Sequence, residues 1–149
     1  MYRSHFFCNT NSLYLGVSEI IKSFDFPIIS LDHEINSNNV YNIDFDHKRA
    51  GYQGAKFLAD RGYKHIVLIS DIDHHHHHSE LRKKGFFEFF QENTEHNFNI
   101  RNIEFSLSYT SGPPVLEKIL SYNEFPVGVF ALSDEIAVGI ISHLGEGYK

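Results

Sequence analysis

The chain has 149 residues, 42% of them hydrophobic and 21% charged, with a formal net charge of −6 and one cysteine. A compact chain of this length buries roughly 70% of its unfolded surface, enough for an ordinary soluble α/β piece. The acidity excludes duplex binding through the overall field, which depends on phosphate neutralisation by Lys and Arg, and the lone Cys8 excludes an internal disulfide and reads as a small core residue.

In chain order, Ser4 to Cys8 reads as a short strand and Asn9 to Ser12 as a loop. Val17, Ile20, Ile21 and Phe24 recur at helical spacing, and Phe26 and Pro27 stop that helix. Ile28 to Leu31 reads as a buried strand ending at Asp32, followed by the turn-rich NSNN and an extended piece from Val40 to Phe45. A helix follows, with Asp46 as a candidate N-cap and Gly62 as a left-handed stop; its expected inner face holds Ala50, Gly54, Phe57, Leu58 and Arg61. His65 to Ile69 is an almost unbroken apolar run rich in β-branched residues, as a parallel strand covered on both faces requires.

Beyond it, Ser79 to Asn93 is an expected helix with an aromatic face of Phe86, Phe89 and Phe90, and Ile103, Phe105 and Leu107 alternate along a strand. Gly112, Pro113 and Pro114 open another helix, buried through Val115, Leu116, Ile119 and Leu120. The strand Val127 to Leu132 then runs through Ser133 and Asp134 into a last helix. Its expected stripe is Ile136, Ala137, Ile140, Ile141 and Leu144, ended by Gly145 or Gly147. Helices and strands alternating in this order predict an α/β fold whose parallel sheet has right-handed crossovers.

Three stretches in register, DHKRAGYQGAKFLADRGYKHIVLIS, SELRKKGFFEFF and VFALSDEIAVGI, give the chain a resemblance to the effector-binding core of LacI/GalR-type transcription regulators. The similarity extends back over FPIISLDHEI. It implies doubly wound parallel sheets of the periplasmic-binding-protein-like type I fold, in two lobes of which only part is present: residues 1–45 from the first and 46–149 from the second, with the crossover around Asp44 to Asp46. On this resemblance the chain is an internal fragment of a cytoplasmic regulator that responds to a sugar or small metabolite and forms a homodimer. DNA would be met only through a helix-turn-helix headpiece outside this chain. A transport-linked sugar-binding protein of the periplasmic type I fold is the alternative, to be told apart by a signal peptide or lipoprotein anchor upstream.

By residue type alone Arg82 reads as a solvated surface arginine. The pattern Arg-x-x-Gly-aromatic in RKKGF, however, matches the family's arginine that points into the cleft between lobes, and a planar five-donor fork near a helix N-terminus suits hydroxyls and carboxylates. Ser133 and Asp134 stand where the family has a cleft-mouth pair usually written Asn-Asp, and each reads equally as a helix N-cap. Asp46 reads as a cap first and a cleft neighbour second. Asp32 matches the family's Asp-Arg pair, but His33 replaces the arginine. The run His74 to His78, with His74, His76 and His78 as the metal-ligand candidates, reads as an incidental exposed loop, because consecutive imidazoles do not converge on one ion without a shaped backbone. No phosphate loop, nucleophile elbow or Cys-x-x-Cys is present, so neither a cofactor nor catalysis is expected, and no run long enough to span a membrane occurs.

Overall fold

The computed structural model describes residues 6–7, 19–31, 34–73 and 77–147. The chain divides into two compact units, Met1–Asp46 and His47–Lys149.

In the first unit β1 (Phe6–Phe7), β2 (Ile28–Leu31) and β3 (Val40–Ile43) form a parallel sheet in the order β1-β2-β3, with Phe6 opposite Ile29 and Ile28 opposite Val40. Ser4, Cys8, Val17, Asp32 and His33 lie outside the described residues. Residues 19–22 are helical, but the stripe is narrower than the spacing predicts: Ile21 is buried and Ile20 is exposed. Asn39 in the turn-rich segment ties this corner together. Its Nδ2 donates to the carbonyls of Ile21 (3.1 Å) and Phe24 (2.8 Å), and its own carbonyl accepts from the Ile28 N–H at 2.8 Å. One amide thereby satisfies the carbonyls that a short helix leaves open at its end.

In the second unit β4 (His65–Asp71) lies between β5 (Asn99–Phe105) and β6 (Val127–Ala131), all parallel, with Ile66 opposite Ile100 and Gly128. Every residue of β4 after His65 is buried, because helices cover both faces of the sheet. Alternate side chains go to opposite sides. Ile66 and Leu68 join Ala55, Leu58, Phe86, Phe89 and Leu132, under α1 (His47–Asp60) and α2 (His77–Glu92). Val67 and Ile69 join Ile103, Val115, Leu116, Ile119, Ile136 and Ile140, under α3 (Gly112–Ser121) and α4 (Asp134–Gly147). This is the doubly wound arrangement expected from the sequence.

The helix faces differ from the expected ones. α1 buries His47, Gly51, Ala55 and Leu58, while Ala50 and Phe57 of the expected face are exposed. Phe57 instead packs on the outside under the Arg61 guanidinium, 3.4 Å from its ring centre. The rotation follows from how α1 meets α2. A methyl at Gly51 would overlap the Arg82 carbonyl, and one at Gly85 would overlap the Lys48 carbonyl, so the two helices cross in backbone contact at that glycine pair. α3 and α4 cross in the same way at Gly112 and Gly139. That contact narrows the buried stripe of α4 to Ile136, Gly139 and Ile140, leaves Ile141 and Leu144 exposed and Ala137 half-buried, and the helix runs through Gly145 to Gly147.

Chain reversals are built as expected. Gly62 has φ +83°, and the N–H groups of Gly62 and Tyr63 satisfy the carbonyls of Ala59 (2.9 Å) and Leu58 (3.3 Å) at the end of α1. Pro113 and Pro114 open α3 after a 3-10 turn, Tyr109–Ser111. The strand expected to reach Leu107 ends at Phe105, and the one expected to reach Leu132 ends at Ala131, although the Leu132 N–H still pairs with the Ile69 carbonyl at 3.1 Å.

Candidate functional site

The topology of the second unit parts the chain on either side of β4, and the boundary with β6 is the one a side chain reaches across. After β4 the chain returns through α2 over one face of the sheet, and after the adjacent β6 it returns through α4 over the other. Chain paths therefore part between the carboxyl ends of β4 and β6. In open α/β sheets that switch point is where ligands bind.

Arg82 in the second turn of α2 reaches into this place. Its Nη1 donates to the Leu132 carbonyl at 2.8 Å, directly after β6, and its Nε donates to Nδ1 of His47 at 3.2 Å, at the start of α1. The side chain is half-buried, and neither partner is a carboxylate. Ser133, half-buried, follows Leu132. Its Oγ accepts the Glu135 N–H at 3.2 Å and its carbonyl accepts from Ala137 at 3.4 Å, so it occupies the N-cap of α4. Asp134 is the first residue of α4 and is exposed; its Oδ1 receives the same Glu135 N–H at 3.1 Å. Asp46 is exposed and immediately precedes α1.

The histidine run does not form a single exposed loop. His77 and His78 are already in α2, and half-buried His78 stacks on the buried His47 ring with centroids 4.2 Å apart and an interplanar angle of 18°. His74 and His76 lie outside the described residues. A helical backbone at His77 explains the correction: successive side chains there leave the axis about 100° apart, so one of them faces inward.

Two described groups at the opposite, N-terminal side of the unit have shifted pKa values. The hydrogen bond from Arg101 (3.0 Å) holds the Glu124 carboxyl below the usual carboxylate range, and the hydrogen bond of the Tyr52 hydroxyl to Glu92 (2.9 Å) raises the phenol above its ordinary value. A surface groove of about 460 Å³, lined by Tyr52, Lys56, Asp60, Lys64, Phe89 and Phe98, also lies away from Arg82. Two of its polar groups are already engaged, Lys56 with Asp60 in the same wall at 2.6 Å and Tyr52 with Glu92 beside it. The switch point, with a half-buried cation aimed across it, is the better candidate.

His47, which the structure brings against Arg82, was not among the residues singled out from the sequence. A usable signal was its place four residues before Gly51 on the face that continues through Ala55 and Leu58.

Residues 55–147 match the profile of the family described as periplasmic binding protein-like domain. The chain is 25% identical over 126 residues to catabolite control protein A of Priestia megaterium, covering 83% of this chain and 37% of that protein. It is 30% identical over 125 residues to the HTH-type transcriptional repressor PurR of Histophilus somni (strain 2336), covering 82% and 36% respectively. Among solved structures, a LacI family transcriptional regulator from Enterococcus faecalis V583 with bound ribose superposes with a TM-score of 0.72 at 25% identity, over 98% of this chain and 51% of that one. The chain thus spans just over a third of the length of these curated relatives.

Proposed function

This chain belongs to the periplasmic binding protein-like domain family, among the LacI/GalR-type regulators, and we propose that it is effector-binding core of a transcription regulator, most simply a repressor, that responds to a sugar or related small metabolite. The observation that carries the reading is Arg82, anchored across the β4–β6 switch point by His47 and the Leu132 carbonyl. Of five guanidinium donors, Nε–H and one on Nη1 are engaged. The rest suit vicinal hydroxyls, a carboxylate or a phosphate. The Enterococcus regulator holds ribose, which supports a sugar-like ligand here.

Under this reading Ser133, Asp134 and Asp46 join Arg82 as ligand neighbours, and the units Met1–Asp46 and His47–Lys149 supply parts of the two lobes of the core. The protein works in the cytoplasm as a homodimer, catalyses no reaction and needs no cofactor; none of the described helices is long and apolar enough to cross a membrane. An effector that binds one conformation better shifts the population toward it, and a DNA-binding headpiece reads that shift. With a net charge of −6, this chain leaves DNA contact to such a headpiece, as the description of the PurR relative as HTH-type supports.

A thermal-shift screen of monosaccharides, disaccharides, sugar phosphates and nucleobases tests the reading, since a ligand at a hundred times its Kd adds about 2.7 kcal/mol to the folded state. With a hit, Arg82→Ala should lose roughly 1.5 to 3 kcal/mol of binding, about ten- to a hundredfold in affinity. Unchanged affinity would place Arg82 outside the site.

A further inference from the structure

We infer that His47 is a positioning residue for Arg82: it accepts the Nε–H in the neutral, Nε2-protonated tautomer and so fixes which edge of the guanidinium is turned toward ligand. The inference rests on the ligand reading of the preceding subsection.

An arginine side chain remains protonated and has no acceptor, so the 3.2 Å contact between Arg82 Nε and His47 Nδ1 has one polarity. Nδ1 must carry the lone pair, and in a neutral ring the proton then sits on Nε2. His47 is only 4% exposed and its ring plane is set by the stack on His78. The second anchor, Nη1 to the Leu132 carbonyl, completes a two-point mount. With Nε and one Nη1 hydrogen so occupied, the remaining Nη1 hydrogen and both on Nη2 form a fork of fixed direction. Without His47, a single bond to a carbonyl would leave the guanidinium free to swing about it, and a two-oxygen ligand would meet a disordered partner.

The backbone holds this mount in register. His47 precedes Gly51 by one helical turn on the same buried face of α1, and Gly51 abuts the carbonyl of Arg82 itself; three residues on, Gly85 abuts the carbonyl of Lys48, the neighbour of His47. Because these are contacts between main chains, the separation of His47 and Arg82 is set by a crossing that leaves almost no play. A core histidine that merely filled space would show neither a directed bond to the arginine nor dependence on an acceptor at Nδ1.

The test uses the full 149-residue chain. Long-range 15N–1H spectra should show His47 Nδ1 unprotonated and Nε2 protonated. For binding, inorganic phosphate serves as the oxyanion probe and D-ribose as the polyol probe. His47→Leu should weaken binding of whichever probe binds by about tenfold, the scale of one lost charge-assisted hydrogen bond. His47→Asn, whose Oδ1 can stand where Nδ1 stood, should restore it to within about threefold. If His47→Leu does not fold, the comparison of His47→Asn with His47→Asp decides, since the latter adds a charge that pairs with and sequesters Arg82. A proton on Nδ1, a charged ring, or equal affinity in the wild type and His47→Leu would overturn the inference. Failure of both probes to bind the wild type, with the tautomer as stated, would instead remove the ligand reading, and the positioning role with it.

Discussion

Replacing Gly51 by alanine should destabilise the second unit, although alanine is the better helix former by about 1 kcal/mol at an open position. The added methyl would lie 2.6 Å from the Arg82 carbonyl carbon and 2.9 Å from its Cα, and closer still to the carbonyl oxygen. Those atoms are main chain and cannot rotate aside. Relieving the contact with the carbonyl oxygen, the shortest of the three, requires α1 and α2 to part by roughly 1.5 Å, which puts the cost at the upper end of the range for overpacking, about 3 kcal/mol. Set against the propensity gain of about 1 kcal/mol, the net loss should be about 2 kcal/mol, a fall in Tm of roughly 4–8 °C for each kcal/mol in a unit of this size. Thermal and urea unfolding followed by circular dichroism would measure it. Gly145→Ala is the internal control: among the described residues, nothing outside its own helix lies within 4 Å of the position its methyl would take, so it should leave stability unchanged or raise it by up to about 1 kcal/mol. Gly85→Ala, against the Lys48 backbone, should lose a similar amount, and the double variant less than the sum, because one separation relieves both clashes. A Gly51→Ala protein as stable as the wild type would refute the backbone contact, and with it the account of how His47 and Arg82 are held together.

Other outcomes follow from single features. Phe86 is fully buried and stacks on Phe130 with ring centres 5.5 Å apart, so Phe86→Ala should lose about 3–5 kcal/mol in denaturant unfolding, and a loss below 1 kcal/mol would contradict its central place. Glu124 has its folded pKa lowered chiefly by the Arg101 hydrogen bond, so its contribution is present above the ordinary carboxylate pKa and fades as pH falls through that value and then the lower folded one; the stability gap between wild type and Glu124→Gln should be widest near neutrality and close with acidification, and a gap that widens in acid would reverse the assignment. EDTA should leave the melting temperature and circular dichroism unchanged, since the reading of the histidine run gives it no structural metal; a large loss of stability on chelation would refute that.

The architecture of the second unit was legible because its signals are local. An apolar run as short and as rich in β-branched residues as Ile66–Ile69 reads as a strand covered on both faces, and the other marks, Gly62 at φ +83° and Pro113–Pro114 at a helix start, act within a few residues of themselves. What failed to be legible depends on which elements meet. Phe57 and Ile141 sit within apolar periodicities that include them equally well, and they lie outside because two glycine crossings draw the helices together along Gly51 and Gly139 instead. Periodicity gives a helix a set of candidate faces, whereas close main-chain contact between helices selects one of them. The site divides along the same line. Arg82 stood out as a candidate from its motif, but its two anchors come from residues 35 and 50 positions away, and one of them is a main-chain carbonyl that any residue type would supply. Only the placement of β6 beside β4, on the side opposite β5, brings Leu132 to the guanidinium; with β6 added outside β5, the same strands and helices would put that carbonyl two strands from Arg82. Strand order, more than any single residue, therefore makes a pointed motif into an anchored one.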